Sequence, residues 1–351
     1  MAHSGSNYAV DEIQRLFDIV HIKKLNLCAF YIWKRFPTRV NIQPPHKGRL
    51  IKMLTKKFGI EIEFTGITRA QAAKVAAEHL NGRVNSVDTS VVAADGRKWK
   101  FTRDGSIKCQ KREGGRKVSA SDAYSVELVS PILTYREDID TLQELVRKLR
   151  HAGAFANNSC GIHIHLDGAG HDARSIRNFI NIIASKNDLF YKALNIESSR
   201  ARYCKKMDEN LVKAINSRKP RTLREIEDIW YDGYYGSRDT HYHNSRYHFL
   251  NLHSFFHGHH TVELRGFNSE LHAGKIRAYI VLALALNNQA LTQSSASSRK
   301  PQTENEKFAM RTYLNRIGLI GDEFANCREH LTTHLNGSSA WRYGRRSEEV
   351  A

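Results

Sequence analysis

The sequence predicts an α+β chain built on a mainly antiparallel sheet. Runs of alternating apolar and polar residues recur between positions 58 and 267, and tight turns or helical runs join them. No fixed-period repeat interrupts that organisation.

Taken in order, residues 1–57 hold a helical run from Val10 to Ile22 and an aromatic, basic stretch ending at Pro44-Pro45. A strand is predicted over 58–64 and a helix over 68–80. In that helix Ala70, Ala73, Ala76, Ala77 and Leu80 have helical spacing, and Asn81-Gly82 ends it. Strands follow near 86–93, 97–103, 106–110 and 123–130. Ile139, Leu142, Leu145, Val146 and Leu149 define one face of a helix over 137–152. A strand over 161–167 leads to helices at 173–192, 207–217 and 222–230. Strands at 247–255 and 261–267 precede a long helix at 271–291. Residues 293–304 are Ser-rich and read as a linker, 305–335 as two short helices, and the tail after Asn336 as loose. The implied domains are a basic extension (1–57), a central domain (58–292), the linker (293–304) and a helical extension (305–351).

Of the 351 residues 41% are hydrophobic, enough for a sizeable core. The five cysteines are odd in number and none form C-x-x-C, which argues against a disulfide framework or a cysteine zinc ribbon and for a reducing, cytoplasmic setting. The apolar run Leu25 to Trp33 lies too far from the start for a secretion signal. Ala278 to Leu286 is too short to span a bilayer, so no membrane association is expected. The net charge of +18 predicts attraction to anions: nucleotide phosphates, acidic substrates or nucleic acid. Residues 1–57 carry 11 Lys+Arg against 3 Asp+Glu, which reads either as a nucleic-acid-binding arm or as a solvated extension.

Three predicted strands repeat one motif: Glu61-Ile62-Glu63, His163-Ile164-His165 and Glu263-Leu264-Arg265. Side chains alternate along a strand, so each ionisable pair shares a face and each aliphatic residue takes the other. Phe58, Ile60, Ile62 and Phe64 extend the apolar face, as do Ile162, Ile164 and Leu166. Glu127 fits the scheme between Val126 and Leu128, and Asn251-Leu252-His253 continues it. Any one pair alone reads as solvated surface or a surface ion pair; together they predict a face of Glu, His and Arg. Two carboxylates about 7 Å apart repel by roughly 2–3 kcal/mol at an effective dielectric near 20. Such crowding calls for cations, and a carboxylate-rich set suits magnesium or manganese better than zinc.

These strands carry a family resemblance. Phe58-Gly59-Ile60-Glu61-Ile62-Glu63-Phe64 resembles the opening strand of amidoligases and, more distantly, of glutamine synthetase and glutamate–cysteine ligase. Asp104-Gly105-Ser106-Ile107 resembles their DGS turn, and Glu127-Leu128-Val129-Ser130-Pro131 their following strand. Asn158 to His165 resembles the SCGLHVHV strand of amidoligases. Arg246-Tyr247, Asn251-Leu252 and Thr261 to Asn268 resemble the closing part. The ordered set covers residues 58–292. The resemblance implies a glutamine-synthetase-like funnel, a curved sheet with helices outside. It further implies ATP entering one end and an amine acceptor the other, with Mg²⁺ (or Mn²⁺) between. A carboxylate of an amino acid or peptide would be phosphorylated and then attacked by the amine. Glu61, Glu63, Glu127, His163 and Glu263 would hold metal. His165 and Arg265 would contact phosphate, Arg246 would stabilise transferring charge, Asp104 would orient a water or the amine, and Asn251 would bind ligand. No glycine-rich phosphate loop of either common pattern occurs.

Other readings remain open. The same face suits a metal-dependent hydrolase, and the basic surface a nucleic-acid-binding or -modifying protein; an oligomer is compatible with either. The seven histidines of 241–260 read mainly as surface residues. Cys160 beside the His strand invites a nucleophilic reading, but the resemblance implies a cysteine there without covalent catalysis, and a small residue before Gly161 suits a tight strand entry. The aromatic loop Trp230 to Arg238 reads equally as a lid, an acceptor-binding loop or a packed crossover.

Overall fold

Strand β1 (Lys57–Phe64) runs through the middle of a nine-stranded sheet, and the computed structural model describes residues 53–343 of the chain. Antiparallel β9 (Gly161–Asp167) lies on one side of β1 and β7 (Val126–Val129) on the other. Beyond β9 come β11 (Thr261–Asn268) and the two-residue β10 (Leu250–Asn251). Beyond β7 come β4 (Lys98–Thr102), β3 (Ser90–Val92) and β2 (Arg83–Asn85). Short β8 (Leu133–Thr134) also pairs with β1. The sheet is open, with β10 and β2 at its edges, and every pairing is antiparallel.

The helices cover one face. Phe58, Ile60, Ile62 and Phe64 are fully buried there, as are Val126, Leu128, Ile162, Ile164 and Leu166. Helix α1 (Arg69–His79) starts with a capping box from Thr68 and Gln71 and packs on β3, β4 and α2 (Tyr135–His151). α3 (Ala173–Ala193) starts with a similar reciprocal cap from Asp172 and Ser175. After it come α4 (Glu209–Arg218), α5 (Leu223–Trp230) and the one-turn α6 (His253–His257). α7 (Ala273–Thr292) is apolar nearly all round because it is wedged among α2, α3 and β9. Ala278 to Leu286 is therefore a buried core segment, and no helix among the described residues is long and apolar enough to cross a membrane. α8 (Glu306–Arg316) reaches α7 through Tyr313 Oη on Gln289 Oε1 (2.7 Å), and α9 (Ala325–His330) packs on α7 directly. Met53 and Leu54 are buried in the same core.

The structure corrects three predicted strands. Of the run at 86–93, residues 86–89 form the turn after β2 and Ser90–Val92 alone are strand. At 106–110 the chain is a turn, and the strand starts at Gln110. There β5 (Gln110–Glu113) and β6 (Arg116–Ser119) form a separate hairpin turning on Gly114-Gly115, both at positive φ. The strand at 247–255 shrinks to Leu250–Asn251, since α6 begins at His253. The helix Val10–Ile22 and residues 1–52 of the proposed basic extension lie outside the described residues, while its last residues belong to the core and to β1.

One irregularity shapes the site. Leu264 faces Ile164 and Phe267 faces Ile162, so β11 carries one extra residue between them. This bulge keeps Leu264 and Phe267 in the core and leaves Arg265 beside Glu263 on the other face. Gly266 is required there: a Cβ would lie 2.0 Å from the buried Phe249 ring. Gly266→Ala is expected to cost at least about 1–3 kcal/mol through overpacking. Thermal denaturation checks this, and an unchanged midpoint would contradict it.

Candidate active site

The register sets the site. Glu61 on β1 pairs with His163 on β9, Glu63 with Glu127 on β7, His165 with Glu263 on β11, and Glu263 with Asn251 on β10. Five adjacent strands thus deliver their polar residues to one patch on the face opposite the core. These groups are not rinsed by solvent: Glu63 is 4% exposed, His163 5%, Glu263 3% and Arg265 5%.

The contacts are close. His163 Nδ1 lies 2.9 Å from Glu61 Oε2 and 3.9 Å from Glu263 Oε1, while its Nε2 lies 3.7 Å from Glu63 Oε1. Arg265 Nη1 donates to Glu263 Oε1, and Asn251 Nδ2 donates to the other oxygen (2.5 Å). Glu63 accepts from the Gly161 amide (2.6 Å), and Glu127 from Thr102 Oγ1 (2.9 Å). Two sets of three ligand atoms come within 4.8 Å of one another: Glu61, His163 and Glu263, and Glu63, Glu127 and His163. His163 thus stands between the two sets, with Nδ1 towards Glu61 and Nε2 towards Glu63.

Charge is unevenly settled. Burial alone would raise the Glu61 carboxyl, but the adjacent His163 and His165 rings hold it well below the usual range. Burial likewise opposes ionisation of Glu263, and Arg265 with the two imidazoles outweighs it, bringing the carboxyl down to about 2. Glu63 and Glu127 fare otherwise. Burial raises Glu63 despite His163, and burial with the charges of Glu61 and Glu63 pushes Glu127 up to about 8. Two facing acids thus lack a strong basic partner, where a bound divalent cation would restore balance. The all-oxygen-plus-imidazole donor set fits magnesium or manganese.

A phosphate would meet donors here as well. Burial would lower His165, but Glu263 and Glu61 lift it to about 9, so the ring is a cation at neutral pH. Its Nδ1 lies 3.1 Å from Thr261 Oγ1. Its Nε2 is 3.3 Å from Glu61 Oε1, an ion-pair distance without hydrogen-bond alignment, so that buried N–H has no hydrogen-bond partner among the described residues. Arg265 Nε is buried and unpartnered too. Unsatisfied buried donors are costly, and an anion beside them removes the cost.

A pH dependence follows. Glu127 titrates near 8 when folded against 4.5 for the free side chain, so its ionisation destabilises the fold as pH rises between those values. His165 titrates near 9 against 6.5, so its stabilising contribution is full below 6.5 and lost as pH rises through 9. Both act in one direction. The metal-free protein is expected to lose stability from about pH 6 to pH 9, and added Mg²⁺ to raise the melting midpoint more at pH 8.5 than at pH 6. Calorimetry checks this, and an equal gain at both pH values would contradict it.

Ten residues were expected at the site. Glu61, Glu63, Glu127, His163, His165, Asn251, Glu263 and Arg265 meet there. Asp104 sits at its rim in the turn after β4, accepting from Ser106 N (2.6 Å), and its charge contributes to raising Glu63 and Glu127. Arg246 forms no ion pair with the carboxylates among the described residues; its guanidinium lies over Tyr242 and Tyr247, 5.1 and 5.8 Å from the ring centres. Sequence reasoning missed Arg200, a buried arginine that donates to the carbonyls of Phe267 (2.6 Å) and Arg265 (3.3 Å) and pins the bulge. A Cβ on Gly161 would sit 2.1 Å from its guanidinium, which accounts for the glycine.

Two other expectations are settled. His243, His248 and His253 are buried rather than on the surface, because the segment folds inward around Tyr231. His253 Nε2 donates to the Thr240 carbonyl (3.0 Å), so Nδ1 accepts from Tyr231 Oη (2.6 Å). Cys160 is no activated nucleophile: burial pushes its thiol up to about 11, and it bonds to Asn157 rather than to a histidine.

A family model described as "putative amidoligase enzyme" matches residues 54–287, about two thirds of the chain. No curated protein matches.

Proposed function

Since the chain belongs to the amidoligase family, we propose that it joins a carboxylate to an amine with ATP and magnesium, through an acyl phosphate. The observation that carries this reading is the pair of three-ligand groups sharing His163, beside two buried cationic side chains with free N–H donors. Glu61 and Glu263 would hold one ion, and Glu63, Glu127 and His163 a second. Bound there, magnesium supplies charge neutralisation for a transferring phosphoryl group.

The chain's own residues supply the rest. His165 and Arg265 donate N–H groups to phosphate oxygens, and their fixed positive charges oppose the negative charge that builds on them. Asn251 and Arg265 fix the Glu263 carboxylate, so it needs no reorientation on binding. Burial of the patch excludes the water that would hydrolyse an acyl phosphate. In the balanced reaction the γ-phosphoryl group passes to the substrate carboxylate, leaving ADP. The amine nitrogen then bonds to the acyl carbon, giving the amide, phosphate and a proton. The open sheet would form the wall of the glutamine-synthetase-like funnel, with an amino acid or peptide as the carboxylate donor.

Hydroxylamine tests the reading, because it intercepts acyl phosphates as hydroxamates. With ATP, Mg²⁺ and a panel of amino acids and acidic peptides, ADP and hydroxamate are expected in equal amounts for the right carboxylate. Hydrolysis of an amide or phosphoester without ATP would establish a hydrolase instead.

A further inference from the structure

Helices α4 and α5 pack together and, with the turn after α5, line a cavity of about 450 Å³, within the usual range for small-molecule sites. Trp230 and His248 form its aromatic wall. They are 2% and 6% exposed and meet edge to face, with ring centres 5.7 Å apart. Half-buried Tyr234 adds a third ring. Two carboxylates, Asp208 and Asp232, stand at the same cavity, although the chain as a whole carries +18.

The polar atoms of this wall are only partly used. Trp230 Nε1 is buried without a hydrogen-bond partner among the described residues. His248 Nδ1 donates to the Ser245 carbonyl (3.0 Å), and burial holds the ring neutral, so Nε2 keeps its lone pair. Asp208 spends one oxygen capping α4 through the Leu211 amide (2.9 Å) and keeps the other. Asp232 has only a loose, exposed pairing with Arg218 at 3.7 Å.

We propose that this cavity binds an organic ammonium ion bearing a nearby oxygen acceptor, such as an α-amino amide. Aromatic faces and carboxylates together attract a compact cation. An anionic ligand would meet two like charges. The unpaired indole N–H asks for an acceptor, which the carbonyl beside the ammonium provides. Resting on the ligase reading, such a ligand belongs to the class of the acceptor amine.

Calorimetric titration of the full chain, without ATP or metal, tests this with three probes: L-phenylalaninamide, its neutral N-acetyl derivative and anionic 3-phenylpropanoate. The cation is expected to bind at least about tenfold more tightly than either analogue. The double variant Asp208→Asn/Asp232→Asn is expected to weaken it at least about tenfold. Asn preserves the α4 cap, so the melting midpoint and Mn²⁺ affinity should not move. Equal binding of the three probes, no binding of the cation, or an unaffected double variant would overturn the proposal. A chain that binds the cation yet forms no hydroxamate would refute the ligase alone; hydroxamate formation without cation binding would refute the cavity alone.

Discussion

His163→Asn is expected to lower ATP-driven turnover by about a hundred- to a thousandfold while leaving the fold in place. His163 is common to both three-ligand groups and touches Glu61, Glu63 and Glu263 within 4 Å. Its loss removes the one nitrogen ligand of the Glu63–Glu127 pair, where negative charge is least compensated. Asparagine still fits a β-strand and can donate to Glu61, so circular dichroism should be unchanged. Steady-state ADP release measures the effect, and turnover within a few-fold of the parent would contradict it. Magnesium dependence should shift to higher concentration in the same variant, because affinity and chemistry rest on the same ligands.

Arg265→Ala is expected to show the second large effect, this time on stability. Arg265 is buried and donates directly to the buried Glu263 carboxylate. Removing it leaves that carboxylate without its strongest partner, at a cost of about 3–5 kcal/mol. For a domain of this size that is a fall of roughly 6–15 °C in melting midpoint. Magnesium should return part of the loss, since an ion at Glu61 and Glu263 replaces the missing positive charge. A destabilisation that magnesium leaves untouched would mean that Glu263 does not face the ion.

Much of this site was legible because a strand with one buried face has period two. β1, β9 and β11 advertise their polar partners by alternation with Ile60, Ile62, Ile162, Ile164, Val262 and Leu264, all fully buried or nearly so. The same rule misled at 247–255. Asn251-Leu252-His253 alternates, but the backbone turns into α6 at that point and sends His253 to Tyr231 and Thr240. Alternation cannot report where a strand stops. The β5–β6 hairpin escaped because none of its residues is buried, so it has no apolar face to read; Gly114-Gly115 was the available signal. Arg200 escaped for another reason. Its role is to satisfy carbonyls exposed by a bulge, and that demand arises from register between distant strands. The inward fold of the histidine segment depends on Tyr231 and Thr240 in the same way, through contacts that no local spacing encodes.

Titration of the chain with Mn²⁺, followed by electron paramagnetic resonance with ATP present, tests the central claim most directly. Two tightly held ions per chain are expected, close enough to broaden each other's signal, with His163→Asn abolishing at least one of them. A spectrum showing only free Mn²⁺–ATP, or binding that His163→Asn leaves intact, would contradict the account.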